Sequence, residues 1–423
     1  MQTTRTSRAV LSLLGFFIAL TASAQEHEGP WKRHTIDDSS KGADGVRLAD
    51  ANGDGLMDIA TGWEEGGIVR LYLNPGPEKS KEKWPAVTVG PAKNVEDAVM
   101  VDLDGDGAMD IVSSCEGKTK TMFVHWGPKD KAKLLDEDAW VTEAIPATVG
   151  KQQWMYCLPI QVDSRRGIDL VTGSKGKGAA VGWLESPEDP RDLKAWRYEK
   201  IEDAGWIMTI QRSPINHPPW LKGEANLFPP KQRDYEPVYE QVLISDRKGD
   251  KDHRVYKLHF PIQENDGLTI PLCPPAEYMF ACDSDIHLGD RYFNLFSATR
   301  NGKIWYEGSV NDPLFFPNPF GVKHGKAIKA GKIDIDAHMD LVHTANTQGE
   351  KGKPGVAWIK LIPGVDPKDW PAYDISGLEG KKFDRLELID LDGDGDLDVL
   401  TCEEADNLGV IWYENPFGKA EDL

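Results

Sequence analysis

Three nine-residue stretches place oxygen-bearing side chains at one fixed spacing. Positions one, three, five and nine are Asp50, Asn52, Asp54 and Asp58 in the first, Asp102, Asp104, Asp106 and Asp110 in the second, and Asp390, Asp392, Asp394 and Asp398 in the third. Position seven is Leu56, Ala108 or Asp396, where a backbone carbonyl is available whatever the side chain. Glycines at positions four and six let the chain turn sharply enough for these oxygens to converge. Oxygen donors without nitrogen or sulfur select Ca²⁺ over zinc or copper, and a flexible loop suits Ca²⁺ better than the stricter octahedron of Mg²⁺. Without a cation the carboxylates repel one another, so the loops are expected to need metal for order. About three structural Ca²⁺ sites are therefore expected. The loop is shorter than the 12-residue EF-hand loop and lacks its terminal Glu.

Related stretches depart from this pattern. One has Gln161, Asp163, Arg165 and Asp169 at the four positions, and another has Lys332, Asp334, Asp336 and Asp340. A cationic side chain there neutralises the remaining carboxylates, so neither is expected to hold calcium. A further copy, with Asp283, Asp285 and Asp290 before Asn294, has extra residues and stays open.

The elements around these loops recur with a period of roughly 57 residues. A short apolar strand, such as Val46 to Asp50, Val99 to Asp102 or Leu386 to Asp390, leads into each acidic loop, and a second strand opens on its last Asp. A third, aromatic-rich strand ends at an Asn, Pro or Gly turn and is visible seven times, near Pro75, Pro128, Pro187, Pro261, Gly308, Pro363 and Pro416. A fourth starts at Trp84, Trp140, Trp196 or Trp370 and alternates in polarity as a half-buried edge strand does. The same signature appears at Trp31 to Ile36, while the last repeat stops after its third strand. The expected fold is all-β: a seven-bladed β-propeller of four-stranded blades, closed into a ring by the N-terminal strand joining the last blade. Residues 25–423 form this single domain, with a Pro- and Tyr-rich insertion at about 212–238 in blade four.

The pattern D-x-[DN]-x-D-G-x-x-D between two strands, repeated blade after blade, resembles the FG-GAP and VCBS repeats of bacterial secreted proteins and of integrin α-subunit heads. It is strongest in blades one, two and seven. The resemblance implies a seven-bladed propeller with calcium sites of mainly structural purpose between the first and second strands.

If the acidic loops occupy one face, the turns after the second strands occupy the other. Aligned there are Trp63 and Glu64, Glu116, Lys175, Arg247 and Lys248, Arg300, Asn346 and Glu404, acidic in blades seven, one and two and basic in three, four and five. The segments leading into the first strands add Asp44, Glu96, Trp154, Trp206, Lys382 and Asp384. Aromatic platforms beside charged groups suit sugars, and loops on a rigid scaffold are where binding residues collect. The expected function is a non-catalytic binding or scaffold module for polysaccharide or surface-protein ligands. The alternative is a carbohydrate-active enzyme, a polysaccharide lyase or glycosidase, drawing on His217, Tyr235, Tyr239, His253 and Arg254. No GxSxG, HExxH, P-loop or dinucleotide fingerprint supports other chemistry.

Residues 1–24 read as a secretory signal peptide: Arg5 and Arg8, an apolar run from Ala9 to Leu20, then Ala22-Ser23-Ala24 before Gln25. Cleavage after Ala24 predicts a secreted or periplasmic product. No later stretch approaches the roughly 18 to 20 apolar residues needed to span a bilayer. The 69 acidic against 49 basic residues oppose nucleic-acid binding and agree with cation binding. Five cysteines cannot all pair within one chain; Cys115 with Cys157 and Cys273 with Cys282 are the candidate bridges.

Overall fold

The computed structural model describes residues 29–212, 240–248, 255–260, 268–270, 276–283, 293–307, 314–336 and 338–418. Seven four-stranded antiparallel sheets account for the described strands, and the helical pieces among the described residues are three-residue 3₁₀ turns. Strands are lettered a to d by position in each sheet. Sheet one comprises Ala43–Ala49, Asp58–Trp63, Ile68–Tyr72 and Ala86–Pro91, and sheet two Val95–Val101, Asp110–Cys115, Thr121–Trp126 and Val141–Ala144. Sheet three comprises Gln153–Ile160, Asp169–Lys175, Ala180–Glu185 and Arg197–Asp203. Sheets four, five and six begin at Ile207–Arg212, Ala276–Asp283 and His324–Gly331, with strands b at Glu240–Asp246, Phe293–Thr299 and Asp340–Asn346. Sheet seven has Phe383–Ile389, Asp398–Glu403 and Gly409–Glu414, and its strand d is Lys32–Asp37, from the other end of the chain. Lys32 pairs with Glu414 and Thr35 with Ile411.

Each strand a touches the strand a of the next sheet, and sheet seven touches sheet one in the same way. Strands b are therefore enclosed on both faces: every residue of Asp58–Trp63, Asp110–Cys115 and Asp398–Glu403 is buried. Close approach between sheets needs missing side chains. A Cβ on Gly62 would stand 2.7 Å from Val95, and one on Gly173 would stand 2.5 Å from Ile207, each the first residue of the following sheet.

The tryptophans that announce the fourth strands pin the preceding connection. Their indole N–H groups donate to backbone carbonyls: Trp84 to Ser80 (3.0 Å), Trp140 to Leu134 (3.0 Å), Trp196 to Pro190 (2.9 Å) and Trp370 to Ile362 (3.3 Å). Their rings are at most 7% exposed and belong to the core.

All seven strands a break register with strand b near their start. The shifts fall between Asp44 and Arg47, Val95 and Asp97, Trp154 and Tyr156, Ile207 and Thr209, Ala276 and Tyr278, Gly325 and Ile328, and Phe383 and Leu386. An extra residue at such a bulge is unpaired and its side chain is re-aimed.

Cys115 and Cys157 are both free and buried, so the bridge considered between them does not form; Cys402 is free as well. Cys273 and the side chain of Cys282 lie outside the described residues, as do residues 1–28 with the signal segment, and the insertion.

Candidate functional site

The acidic loops connect strands a and b. Their ninth residue has a constant backbone role. Asp58 accepts N–H groups from Ala51 (2.8 Å) and Asn74 (2.8 Å), Asp110 from Leu103 (3.1 Å) and Gly127 (2.9 Å), and Asp398 from Leu391 (2.9 Å) and Asn415 (2.9 Å). Asp169, in the departing third copy, does the same with Val162 and Ser186, both at 2.8 Å. Each joins its loop to the end of strand c. Burial pushes Asp110 up to about 7 and Asp398 up to about 8, against the pull of their backbone donors.

Two loops gather carboxylates tightly. Asp102, Asp104 and Asp110, and likewise Asp390, Asp392 and Asp398, each bring oxygens within 4.8 Å of one another. Asp102 Oδ1 and Asp396 Oδ1 are buried without a hydrogen-bond partner, as an oxygen awaiting a cation would be. Asp396 Oδ2 instead accepts from the Gly418 N–H (2.8 Å). Both loops offer the oxygen donors of a hard cation, and side-chain cations stand on some of them here: Arg191 on Asp104 (2.5 Å) and Asp106, Lys129 on Asp106 (3.2 Å) and Lys81 on Asp392 (2.9 Å). In the first loop Asp50 accepts from the N–H groups of Gly53, Asp54 and Gly55, and the Asn52 amide donates to Asp54 (2.8 Å). Gly53 and Gly55 there take φ of 79° and 89°, which only glycine adopts freely.

The two departing loops compensate in different ways. In sheet three the Gln161 side-chain amide donates to the carbonyls of Arg165 (2.7 Å) and Gly167 (2.6 Å), so an N–H group rather than a metal draws these oxygens together. In sheet six the cation is Lys360, bonded to Asp334 and 2.9 Å from Asp336, and not Lys332. The loop of sheet five lies largely outside the described residues.

At the opposite ends of strands b, the seven sheets converge on one axial cavity of about 250 Å³. Two tiers of side chains line it. The lower tier is built at the register shifts: Asp44, Glu96, Met155, Met208, Glu277, Lys326 and Asp384. The upper tier comes from the ends of strands b: Glu64, Glu116, Lys175, Arg247, Arg300 and Asn346, with Glu404 joined to it through Lys382.

The cavity is divided by charge. Lys175 Nζ lies 3.1 Å from Glu96 Oε1 and is also bonded to Glu116. Arg247 is paired with Glu277, which Arg300 approaches at 3.5 Å. Lys326 is paired with Asp384, and Lys382 with Glu404. Lys175, Arg247 and Lys248 stand 4.6, 4.7 and 4.4 Å from the Trp206 ring centroid, so that indole gathers three cations. Its Nε1–H is buried and unpaired. Burial, with Asp384, Glu96 and Glu404 nearby, raises Asp44 well above the carboxylate range. Burial and Asp384 take Glu404 up to about 7. Asp384 is buried too, but Lys326 and Lys382 outweigh the burial and hold it low.

Of the residues expected on the rim, Glu64, Glu116, Lys175, Trp206, Arg247, Arg300, Lys382 and Asp384 line the cavity, and Glu404 stands beside it. Lys248 is exposed, over Trp206. Two expectations are corrected. Trp63 is 0% exposed and donates to Tyr72 Oη (2.9 Å); Trp154 is 1% exposed and donates to the Thr148 carbonyl (3.1 Å). The register shift turns Trp154 into the core and presents Met155 instead. Glu277, Lys326, Met155 and Met208 were missed, although each belongs to the start of a strand a, as Asp44 and Glu96 do. His217, Tyr235, Tyr239, His253 and Arg254 lie outside the described residues.

Residues 50–113, which contain the first two acidic loops, match the FG-GAP-like repeat family. In structure the chain is similar to BBS1N from its complex with ARL6DN, at 9% identity and a TM-score of 0.50, over 93% of this chain and 100% of that one. It is also similar to the Dos1 propeller (10% identity, TM-score 0.48, 93% and 97% covered). A third is a catalytically inactive virginiamycin B lyase from Staphylococcus aureus with quinupristin (11% identity, TM-score 0.48, 90% and 97% covered). No curated protein matches the chain. Among the described residues no helix is long and apolar enough to cross a membrane.

Proposed function

We propose that this β-propeller, with its FG-GAP-like repeat at residues 50–113, is an exported, non-catalytic binding module of seven blades closed in one ring. Its axial cavity receives an anionic group of a polysaccharide or of a surface protein. Ca²⁺ in the loops of sheets one, two and seven holds the scaffold and takes no part in the contact. The observation that carries this reading is the convergence of side chains from all seven sheets on one cavity, with a basic side gathered on Trp206. An incoming carboxylate or sulfate meets Arg247, Arg300 and Lys175, and the unpaired Trp206 N–H adds a neutral donor. The cations cover the Trp206 ring, so this indole positions charge and is not a stacking platform for a sugar face.

The test is calorimetric titration with anionic and neutral polysaccharide fragments. Anionic fragments bind, binding weakens with salt, and Arg247→Ala or Trp206→Ala lowers affinity at least tenfold. Equal affinity in both variants and the parent protein would remove the cavity from the reading. A second reading, lyase or glycosidase chemistry in the same cavity, is favoured by carboxylates standing beside lysine and arginine. It predicts new unsaturated ends, seen as ultraviolet absorbance, or new reducing ends on incubation with polysaccharide.

A further inference from the structure

We infer that the acidic side of the axial cavity holds a hard divalent cation on Asp44, Glu64 and Glu404, at the opposite ends of the sheets from the acidic loops. One carboxylate oxygen of each lies within 4.8 Å of the others. The three come from different rigid positions: the start of strand a in sheet one, the end of strand b in sheet one and the end of strand b in sheet seven.

The pattern of ion pairs singles this cluster out. Around the cavity Glu96 and Glu116 share Lys175, Glu277 has Arg247 and Arg300, Asp384 has Lys326, and Glu404 has Lys382. The carboxylates of Asp44 and Glu64 have no hydrogen bond or ion pair among the described residues; the field of Lys382, itself paired with Glu404, reaches both. A second triple, Glu64, Glu96 and Glu116, is as compact, but Lys175 already neutralises two of its members.

Asp44 is the independent sign of a ligand. It is 5% exposed and lines the cavity, yet no donor or cation stands in direct contact with its carboxylate, Lys382 acting on it only at longer range. A buried charge without a partner is strongly disfavoured, which is why Asp44 holds its proton in the absence of metal; a cation in contact with it displaces that proton and compensates the charge. Two carboxylates without a direct ion pair, beside a third, match the charge of one divalent ion. Oxygen-only donors restrict it to the hard class, Ca²⁺ or Mg²⁺, and three protein carboxylates leave coordination positions for water. The cation would join sheet one to sheet seven.

This site stands apart from which ligand the cavity receives, and metal alone tests it. Equilibrium dialysis of the full chain against Ca²⁺ and, separately, Mg²⁺ gives the number of bound ions. Asp44→Asn combined with Glu64→Gln is expected to remove one ion from that number while the loop sites still fill. The same dialysis identifies which of the two metals occupies the site. Glu404→Gln, which keeps the shape and leaves Asp44 intact, is expected to weaken that ion at least tenfold. In chelator, Asp44→Asn is expected to melt higher than the parent protein, because no proton has to be held at that position; with metal present the order reverses. Unchanged ion number and affinity in both variants, each folded by near-ultraviolet circular dichroism, overturns the site. So does a melting order indifferent to metal, which would mean that Asp44 keeps its proton with metal present.

Discussion

His125 and His343 are 0% and 1% exposed, and burial drives both imidazoles down to about 3. His125 is held neutral between Ser113 (2.9 Å) and Thr142 (2.8 Å). In the unfolded chain a histidine takes its proton near pH 6.5. Between pH 6.5 and about 3 the unfolded state therefore binds more protons than the native one, and stability is lost as pH falls through that window. Each imidazole contributes about 1.4 kcal/mol per pH unit there. Urea midpoints followed from pH 7 to 4 should fall in the parent protein and fall less steeply in His125→Gln. At the same scale, Gln161→Glu replaces the donor that joins two carbonyls with an acceptor. Its melting temperature in chelator should drop, whereas the same change in an amide that merely decorates the surface would not move it. The sequence marked this loop as departing, but pointed to Arg165 as the neutralising group. Arg165 is 73% exposed at its side chain and 3.9 Å from Asp163. An amide N–H directed at carbonyls carries no charge to read from composition, so the residue that performs the substitution was not legible.

The a–b loop is the element in which sequence and structure agree most closely and also mislead most. Nine residues with alternating acids are legible because the repeat aligns them, and the strands on either side follow from it. The ninth Asp reads as one more metal ligand, yet it also receives two backbone N–H groups that no spacing reveals. Asp169→Ala, in a loop where Gln161 stands in for metal, isolates this role. Losing the acceptor for two buried N–H groups costs about 1 to 3 kcal/mol each. The loss should be the same with calcium and with chelator in a denaturant melt. Asp110→Ala and Asp398→Ala should cost more with calcium present than without it. The register shifts that begin each strand a were not legible at all. One displaced residue per strand exchanges the inward and outward faces, which is why Trp154 enters the core and Met155 the cavity.

At the scale of the whole molecule, seven sheets and the return of the N-terminal strand to sheet seven were legible in the repeat, because a missing first part at one end matched a missing last part at the other. That the far ends of strands b face one another was legible from loop positions alone; the ion pairs that divide the cavity between them were not, since they join residues of different sheets. Chelation should lower the melting temperature, since an ion held only by the native state stabilises it by about 2.7 kcal/mol at a hundredfold excess over its dissociation constant. An unchanged melt would remove the loop sites. Deleting residues 1–38 removes Lys32–Asp37 and bares the edge of Gly409–Glu414. That protein should melt lower and associate in size-exclusion chromatography, as an open strand edge invites pairing with a second chain.

The joining of the two ends also sets an order of events. His34 and Glu414 meet at 2.7 Å across 380 positions of chain, whereas strands within the other sheets pair with near neighbours. Contacts that close long loops form late, after the local ones that prepare them. During synthesis six sheets can assemble while the outer strand of the seventh, made before them, waits for the three strands of its own sheet. Until Gly409–Glu414 is available, Lys32–Asp37 has no partner in its own fold, and this interval is when the growing chain is most exposed to pairing with a stranger.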